Sequence, residues 1–184
     1  KLTASDPAAT DYFGKSVDLS GTTAIVGSYL NDDNGSSSGS AYIYQYDPSV
    51  DTWQETKLLA SDGFASDYFG WDVAISGNTA IVGAPYDDYI YSSTGSAYIY
   101  QYDPSSDSWF ETKLIASDRN ASDYFGMSVD ISGNIALVGA YGDDDNGLNS
   151  GSAYIYQYDP SVDVWLETKL LASDGAANDY FGKK

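Results

Sequence analysis

Lys1-Leu2-Thr3-Ala4-Ser5-Asp6 returns as Lys57-Leu58-Leu59-Ala60-Ser61-Asp62, as Lys113-Leu114-Ile115-Ala116-Ser117-Asp118, and again as Lys169-Leu170-Leu171-Ala172-Ser173-Asp174. Each start lies 56 residues after the last, and 32 of the 56 positions are identical in the three complete copies. Fixed spacing without insertion means that one supersecondary unit, with loops of one length, is copied in tandem. A unit this small has no large private core, so its stability comes from stacking on neighbouring copies. The chain accordingly divides into repeats at residues 1–56, 57–112 and 113–168, with 169–184 beginning a fourth.

Within one copy, Ser16-Val17-Asp18-Leu19 and Thr23-Ala24-Ile25-Val26 flank Ser20-Gly21-Thr22, which predicts a tight hairpin. A loop of variable sequence follows from Ser28 to Ser38. Ala41-Tyr42-Ile43-Tyr44-Gln45-Tyr46 alternates with period two and is rich in β formers, so it reads as the strongest strand. Asp47-Pro48-Ser49 places proline where its fixed φ suits a type I turn. A fourth strand is predicted from Thr52 to Leu58. Nothing carries helical periodicity. The fold class is therefore all-β: tandem four-stranded antiparallel blades of the β-propeller type.

Phe69-Gly70 before the first strand of the second copy and Gly83-Ala84-Pro85 after its second strand resemble the FG-GAP repeat. That repeat is the blade unit of integrin α-subunit propellers and of many bacterial secreted proteins. Phe-Gly is present in every copy, as Phe13-Gly14, Phe69-Gly70, Phe125-Gly126 and Phe181-Gly182. The second half of the motif departs in Gly27-Ser28-Tyr29 and Gly139-Ala140-Tyr141. The resemblance implies propeller blades and a secreted, extracellular setting. Integrin-type calcium loops lie between the first two strands, where this chain has only the Ser-Gly hairpin, so that particular site is absent. Adhesion, enzyme-accessory and purely structural roles all occur on this fold, and the resemblance does not choose among them.

A net charge of −19 argues against nucleic acid and anionic membranes as partners, and leaves cations, cationic surfaces and neutral glycans. Of 27 acidic residues only Glu55, Glu111 and Glu167 are glutamate, so acid is concentrated in turn-forming aspartate. Without cysteine or histidine there is no disulfide frame, no thiolate site and no imidazole base. No apolar run approaches a membrane span and no signal-peptide pattern is present. Beginning and stopping inside a repeat, the sequence reads as a piece of a longer product.

The loop after the second strand is the leading candidate for chemistry. It carries Asp143-Asp144-Asp145-Asn146 in the third copy, Asn31-Asp32-Asp33-Asn34 in the first, and Asp87-Asp88 in the second. Clustered carboxylate and amide oxygens beside a glycine suit Ca²⁺, a hard ion wanting six to eight oxygens; a solvated polar turn without an ion is the other reading. Tyr42, Tyr44 and Tyr46 share one strand face, and their identity in every copy points to packing rather than to a sugar platform. The aromatic loop residues Tyr29, Tyr86, Tyr89, Tyr91 and Tyr141 vary between copies and are the candidate ligand contacts. Asn34-Gly35-Ser36 and Asn120-Ala121-Ser122 are glycosylation sequons. An active site should break the repeat, yet the aspartates sit at repeated turn positions such as Asp6, Asp11, Asp47 and Asp51, so the sequence points away from catalysis.

The sequence thus predicts a non-enzymatic extracellular scaffold with a structural or adhesive role. Its partners would be further copies of the same repeat or chain, in a larger ring or a head-to-tail filament. A module that binds a glycan or protein through the variable loops, with calcium, is the alternative.

Overall fold

The computed structural model describes residues 1–88 and 91–184; Tyr89, one of the candidate ligand contacts, lies outside them. The first sheet contains β1 (Val17–Ser20), β2 (Thr23–Ser28), β3 (Ser40–Asp47) and β4 (Thr52–Leu58). The second contains β5 (Val73–Ser76), β6 (Thr79–Ala84), β7 (Ser96–Asp103) and β8 (Ser108–Leu114). The third contains β9 (Ser128–Ser132), β10 (Ile135–Ala140), β11 (Ser152–Asp159) and β12 (Val164–Leu170). Strands pair antiparallel in chain order within each sheet, and no helix occurs among the described residues. The sheets do not close into a ring. The first strands β1, β5 and β9 lie side by side, while β4 is largely exposed on the far edge.

The hairpin at Ser20-Gly21-Thr22 forms with Ser20 paired to Thr23, and Gly21 takes φ of 59°, the left-handed value such two-residue turns need. In β7, Ser96 to Tyr100 are buried without interruption because both sheet faces are covered. Tyr98 and Tyr100 turn to the preceding blade, whereas Ala97 and Ile99 turn to the following one. The first junction packs Ile25, Ala41, Ile43 and Leu58 against Val73, Ile75, Ala80, Val82, Tyr98 and Tyr100. The second repeats this set with Ile81, Ala97, Ile99 and Leu114 against Val129, Ile131, Ala136, Val138, Tyr154 and Tyr156. Ile43 therefore sits inside the molecule, at a blade junction, and not on a terminal face. Each fully buried side chain of this size contributes about 1.5–3 kcal/mol, so the junctions carry most of the stability.

The segment between sheets completes each junction. Phe69 stands edge-on to Tyr98 and Tyr100, with ring centroids 5.3 and 6.1 Å apart. Its backbone bridges to Gly39 of the preceding blade. The N–H of Gly70 donates to Gly83 O at 3.0 Å. A β-carbon placed on Gly27 would lie 2.2 Å from Gly70 O. The two glycines of the motif are thus places where backbone meets backbone, within a blade and between blades.

Candidate functional site

The acidic loops converge on a cation that the chain itself supplies. In the third blade, Lys169 Nζ lies 2.6 Å from Asp118, 2.7 Å from Asp143 and 2.8 Å from Asp145. Those three carboxylates offer oxygens within 4.8 Å of one another, which is the spacing a metal ion would use. In the second blade, Lys113 is held by Asp62 at 2.6 Å and Asp87 at 2.7 Å. In the first, Lys57 is held by Asp6 and Asp33. A tyrosine hydroxyl closes each later cage: Tyr98 donates to Asp87 at 2.8 Å, and Tyr154 to Asp118 at 2.9 Å. Burial works against the Lys169 ammonium, but hydrogen bonds to Asp118, Asp143 and Asp145 outweigh it and raise its pKa above the ordinary lysine value. The residues fit a cation, and the cation they hold is a lysine.

The neighbouring loop positions are engaged in the turn. Asp32, Asp88 and Asp144 each accept the backbone N–H of the residue five positions on, Ser37, Ser93 and Asn149, at 2.6 Å. Asn34 and Asn146 donate Nδ2 to Ala60 O and Ala172 O at 3.1 and 3.2 Å, tying the loop to the next connecting segment. Asn34 and Asn120, the two sequon asparagines, are exposed.

Beneath the second and third loops lies a second carboxylate. Asp67 is buried and accepts the Phe64 N–H at 2.6 Å, and Asp123 accepts the Asn120 N–H in the same way. Burial pushes both carboxyls up to about 6; the backbone donor opposes this, and the charge of Asp87 or Asp143 adds to it. In the first blade Asn31 replaces that neighbouring aspartate and donates Nδ2 to Asp11 at 3.4 Å, so the repeated position holds an amide beside a carboxylate.

Of the candidate tyrosines, Tyr29, Tyr86 and Tyr141 form part of a continuous aromatic arc. Tyr12 meets Tyr29 at 5.6 Å, Tyr29 meets Trp71 at 4.9 Å, and Trp71 meets Tyr86 at 6.1 Å. The arc continues from Tyr86 to Tyr124 at 5.3 Å, to Tyr141 at 5.0 Å and to Tyr180 at 5.9 Å. Tyr91 is exposed and takes no part in these ring contacts. Tyr12, Tyr68, Tyr124 and Tyr180 all adopt φ of 55–56°, a left-handed backbone that a bulky residue takes only when its surroundings enforce it. Lys15 covers Trp71 at 5.0 Å and Lys183 covers Tyr180 at 5.1 Å. Both lysines line a cavity of about 410 Å³ with Trp71, Asp72 and Met127.

The end sheets expose what the middle sheet buries. Val17 and Leu19 are 64% and 62% exposed, while their counterparts Val73 and Ile75 are each 4% exposed. With Leu2, Phe13, Ala24, Val26 and Trp53 they line an open apolar groove of about 700 Å³. On the third sheet, Leu137 is 42% exposed where Ile25 and Ile81 are fully covered.

Reasoning from sequence placed the loop acids but missed Lys57, Lys113 and Lys169, Asp118, and the strained tyrosines. The signal was present: the lysine and aspartate of the Lys-Leu-x-Ala-Ser-Asp phrase recur in every copy, and a lone cation repeated amid acids marks an ion pair. Residues 1–44, 53–100 and 109–156 match the FG-GAP repeat. No curated protein matches the chain. With three matches spanning most of its length, spaced as its three sheets are, the chain belongs to the FG-GAP repeat family.

Proposed function

We propose that this chain is a non-enzymatic, extracellular repeat scaffold with a structural or adhesive role, whose two end faces take further blades of the same kind. The observation that carries this reading is the equivalence of the end faces to the internal junctions. Phe13, Val17, Leu19, Ala24 and Val26 stand 56 residues before Phe69, Val73, Ile75, Ala80 and Val82, and Leu137, Ala153, Ile155 and Leu170 stand 112 after Ile25, Ala41, Ile43 and Leu58. One end therefore fits the other. Open apolar faces of this extent are rare on isolated soluble domains. Further repeats, whether in one ring or in successive copies, would meet them in the internal register. The exposed sequons at Asn34 and Asn120 and the family resemblance support an extracellular setting.

Val17 and Leu137 are exposed, so Val17→Asp and Leu137→Asp should spare the fold while each disables one end. By light scattering the parent chain should associate increasingly with concentration, and each variant alone should not. An equimolar mixture should stop at dimers, because one good end of each kind remains. Persistent monomers of the parent at high concentration would sink this reading.

A second reading, recognition of a glycan or protein ligand, is supported by the aromatic arc, where Tyr29, Tyr86 and Tyr141 present half-exposed rings. Calcium would join either reading as a competitor of Lys169, held by Asp118, Asp143 and Asp145 once the ammonium leaves, with Asp144 and Asn146 beside them.

A further inference from the structure

The residue after each Phe-Gly is where the repeat stops repeating. It reads Lys15, Trp71, Met127 and Lys183, although the Phe-Gly before it is the same in every copy. The next position varies as well, through Ser16, Asp72, Ser128 and Lys184. These divergent positions converge in space. Lys15, Trp71, Met127 and Lys183 line the cavity of about 410 Å³, with Ser16, Asp72 and Lys184 in its wall. That volume suits a small ligand. The backbone beneath is fixed by the repeat: the N–H groups of Trp71, Met127 and Lys183 each donate to the tyrosine three residues before, at 3.1 Å. A constant framework that carries different side chains at one cavity is how a repeat acquires a site.

Charge sets this cavity apart from the rest of the molecule. The chain has eight lysines and arginines against 27 acids. Lys57, Lys113 and Lys169 are each caged by aspartates. Lys15, Lys183 and Lys184 are exposed, and among the described residues none of them forms an ion pair. Aromatic rings hold two of them instead. Lys15 Nζ lies 5.0 Å from the centre of the Trp71 ring, and Lys183 Nζ lies 5.1 Å from Tyr180 and 5.7 Å from Tyr141. The carboxylate of Asp72 is taken up by neutral donors, with Ser16 Oγ at 2.7 Å and the Val129 N–H at 2.9 Å. The cavity is thus a cationic spot on an acidic molecule.

We propose that this cavity binds a carboxylate-bearing sugar of the hexuronate class, with Lys15 and Lys183 holding the carboxylate and Trp71 the sugar ring. This rests on the ligand-recognition reading above and names its ligand class and residues. An ammonium on an exposed ring is held weakly, and a hydrogen bond to a carboxylate is the stronger contact. Lys15 therefore leaves Trp71 for an incoming carboxylate and uncovers the indole for the C–H face of the sugar. Tyr29 and Tyr86, with rings 4.9 and 6.1 Å from Trp71, add hydroxyls and ring surface at the margin. A single carboxylate matches this local charge. A long polyanion would instead meet the remainder of a chain whose net charge is −19.

Methyl glucuronide and methyl glucoside share a ring and differ in the carboxylate, so the pair reads the charge. In calorimetric titration at low ionic strength, the glucuronide should bind about tenfold more tightly or better. It should also shield Lys15 and Lys183 from acetylation, read by mass spectrometry, and leave the caged Lys57, Lys113 and Lys169 as they were. Lys15→Gln with Lys183→Gln should weaken glucuronide binding by about tenfold and keep the melting temperature, since both side chains are exposed. Equal binding of the two glycosides, undiminished in the double variant, would overturn the acidic-sugar site and leave recognition through the aromatic arc standing. Acetate or a short aspartate peptide matching the glucuronide would show that charge alone is read, which overturns the sugar assignment. Failure of both glycosides to bind would overturn this site and glycan recognition together.

Discussion

Lys169 and the buried aspartates show how one residue decides what an acidic loop does. Three carboxylates around an ammonium are a cation site already filled, so added Ca²⁺ has little to gain in the parent chain. Lys169→Gln empties the cage and leaves Asp118, Asp143 and Asp145 facing one another. In calorimetry, millimolar Ca²⁺ should then raise the melting temperature of the variant by several degrees and that of the parent much less. An equal calcium response in both would show that the ion binds elsewhere. The second prediction concerns Asp67 and Asp123. Their folded pKa of about 6 lies above the unfolded value of 3.8, so the folded state binds more protons between those limits. Their burial therefore costs stability at pH 7, and this cost shrinks as pH falls through 6 towards 5 and is gone only below 3.8. Unfolding free energy should rise by about 1 kcal/mol per group over that interval, after allowance for solvent screening. The double variant Asp67→Asn with Asp123→Asn should flatten the pH profile relative to the parent, which separates this effect from general relief of the molecule's negative charge. The loop acids were legible as a cluster. Their cation was marked only by its recurrence in every copy, and its place was not legible, because Lys169 and Asp118 reach the loop only through the pairing of β12 with β11 and the docking of the connecting segment.

Among the elements, the glycine positions separate turns that tolerate change from contacts that do not. Gly77 in the β5–β6 hairpin has φ of 57° with nothing within 4 Å of a built β-carbon. Gly95, before β7, has φ of 79°, and a β-carbon there would stand 2.1 Å from Phe125 O. Gly77→Ala should cost about 1–2 kcal/mol, the ordinary penalty of a left-handed alanine. Gly95→Ala adds a backbone collision at the junction of two blades and should cost about 3 kcal/mol or more in denaturant unfolding. Similar losses at both sites would mean that the Phe125 bridge adds nothing. The strands themselves were readable: the Ala41–Tyr46 alternation lies within β3, Thr52–Leu58 coincides with β4, and Ser20-Gly21-Thr22 spans the hairpin turn. Tyr98, Tyr100, Tyr154 and Tyr156 proved to be junction residues, and Tyr42 and Tyr44 are buried with Ala4, Phe13 and Val26 on the first blade's outer side. Tyr46 instead lies half-exposed against Trp53, its ring centroid 5.3 Å away.

At the scale of the whole molecule, the repeat makes every interface a version of every other. Two internal junctions and two open end faces follow from one blade design. Assembly through Val17 and Leu137 is therefore a prediction that one more copy of the internal junction forms. The aromatic arc also belongs to this scale. No single blade contains it, and it exists because tyrosines from successive connecting segments and loops interleave.

By itself the sequence determined the blade: strand count, hairpin, loop lengths and the stacking of near-identical units. These follow from local periodicity, turn chemistry and a fixed repeat length, all of which act over a few residues along the chain. Only the tertiary structure decided which face of the tyrosine strand meets which neighbour and that Ile43 is internal. It also decided that the acids of one loop share their cation with an aspartate of the preceding segment. The physical reason is that a strand with both faces buried shows the same alternation whichever face looks forward. Direction enters only when sheets twist, stack and bring together residues that lie tens of positions apart.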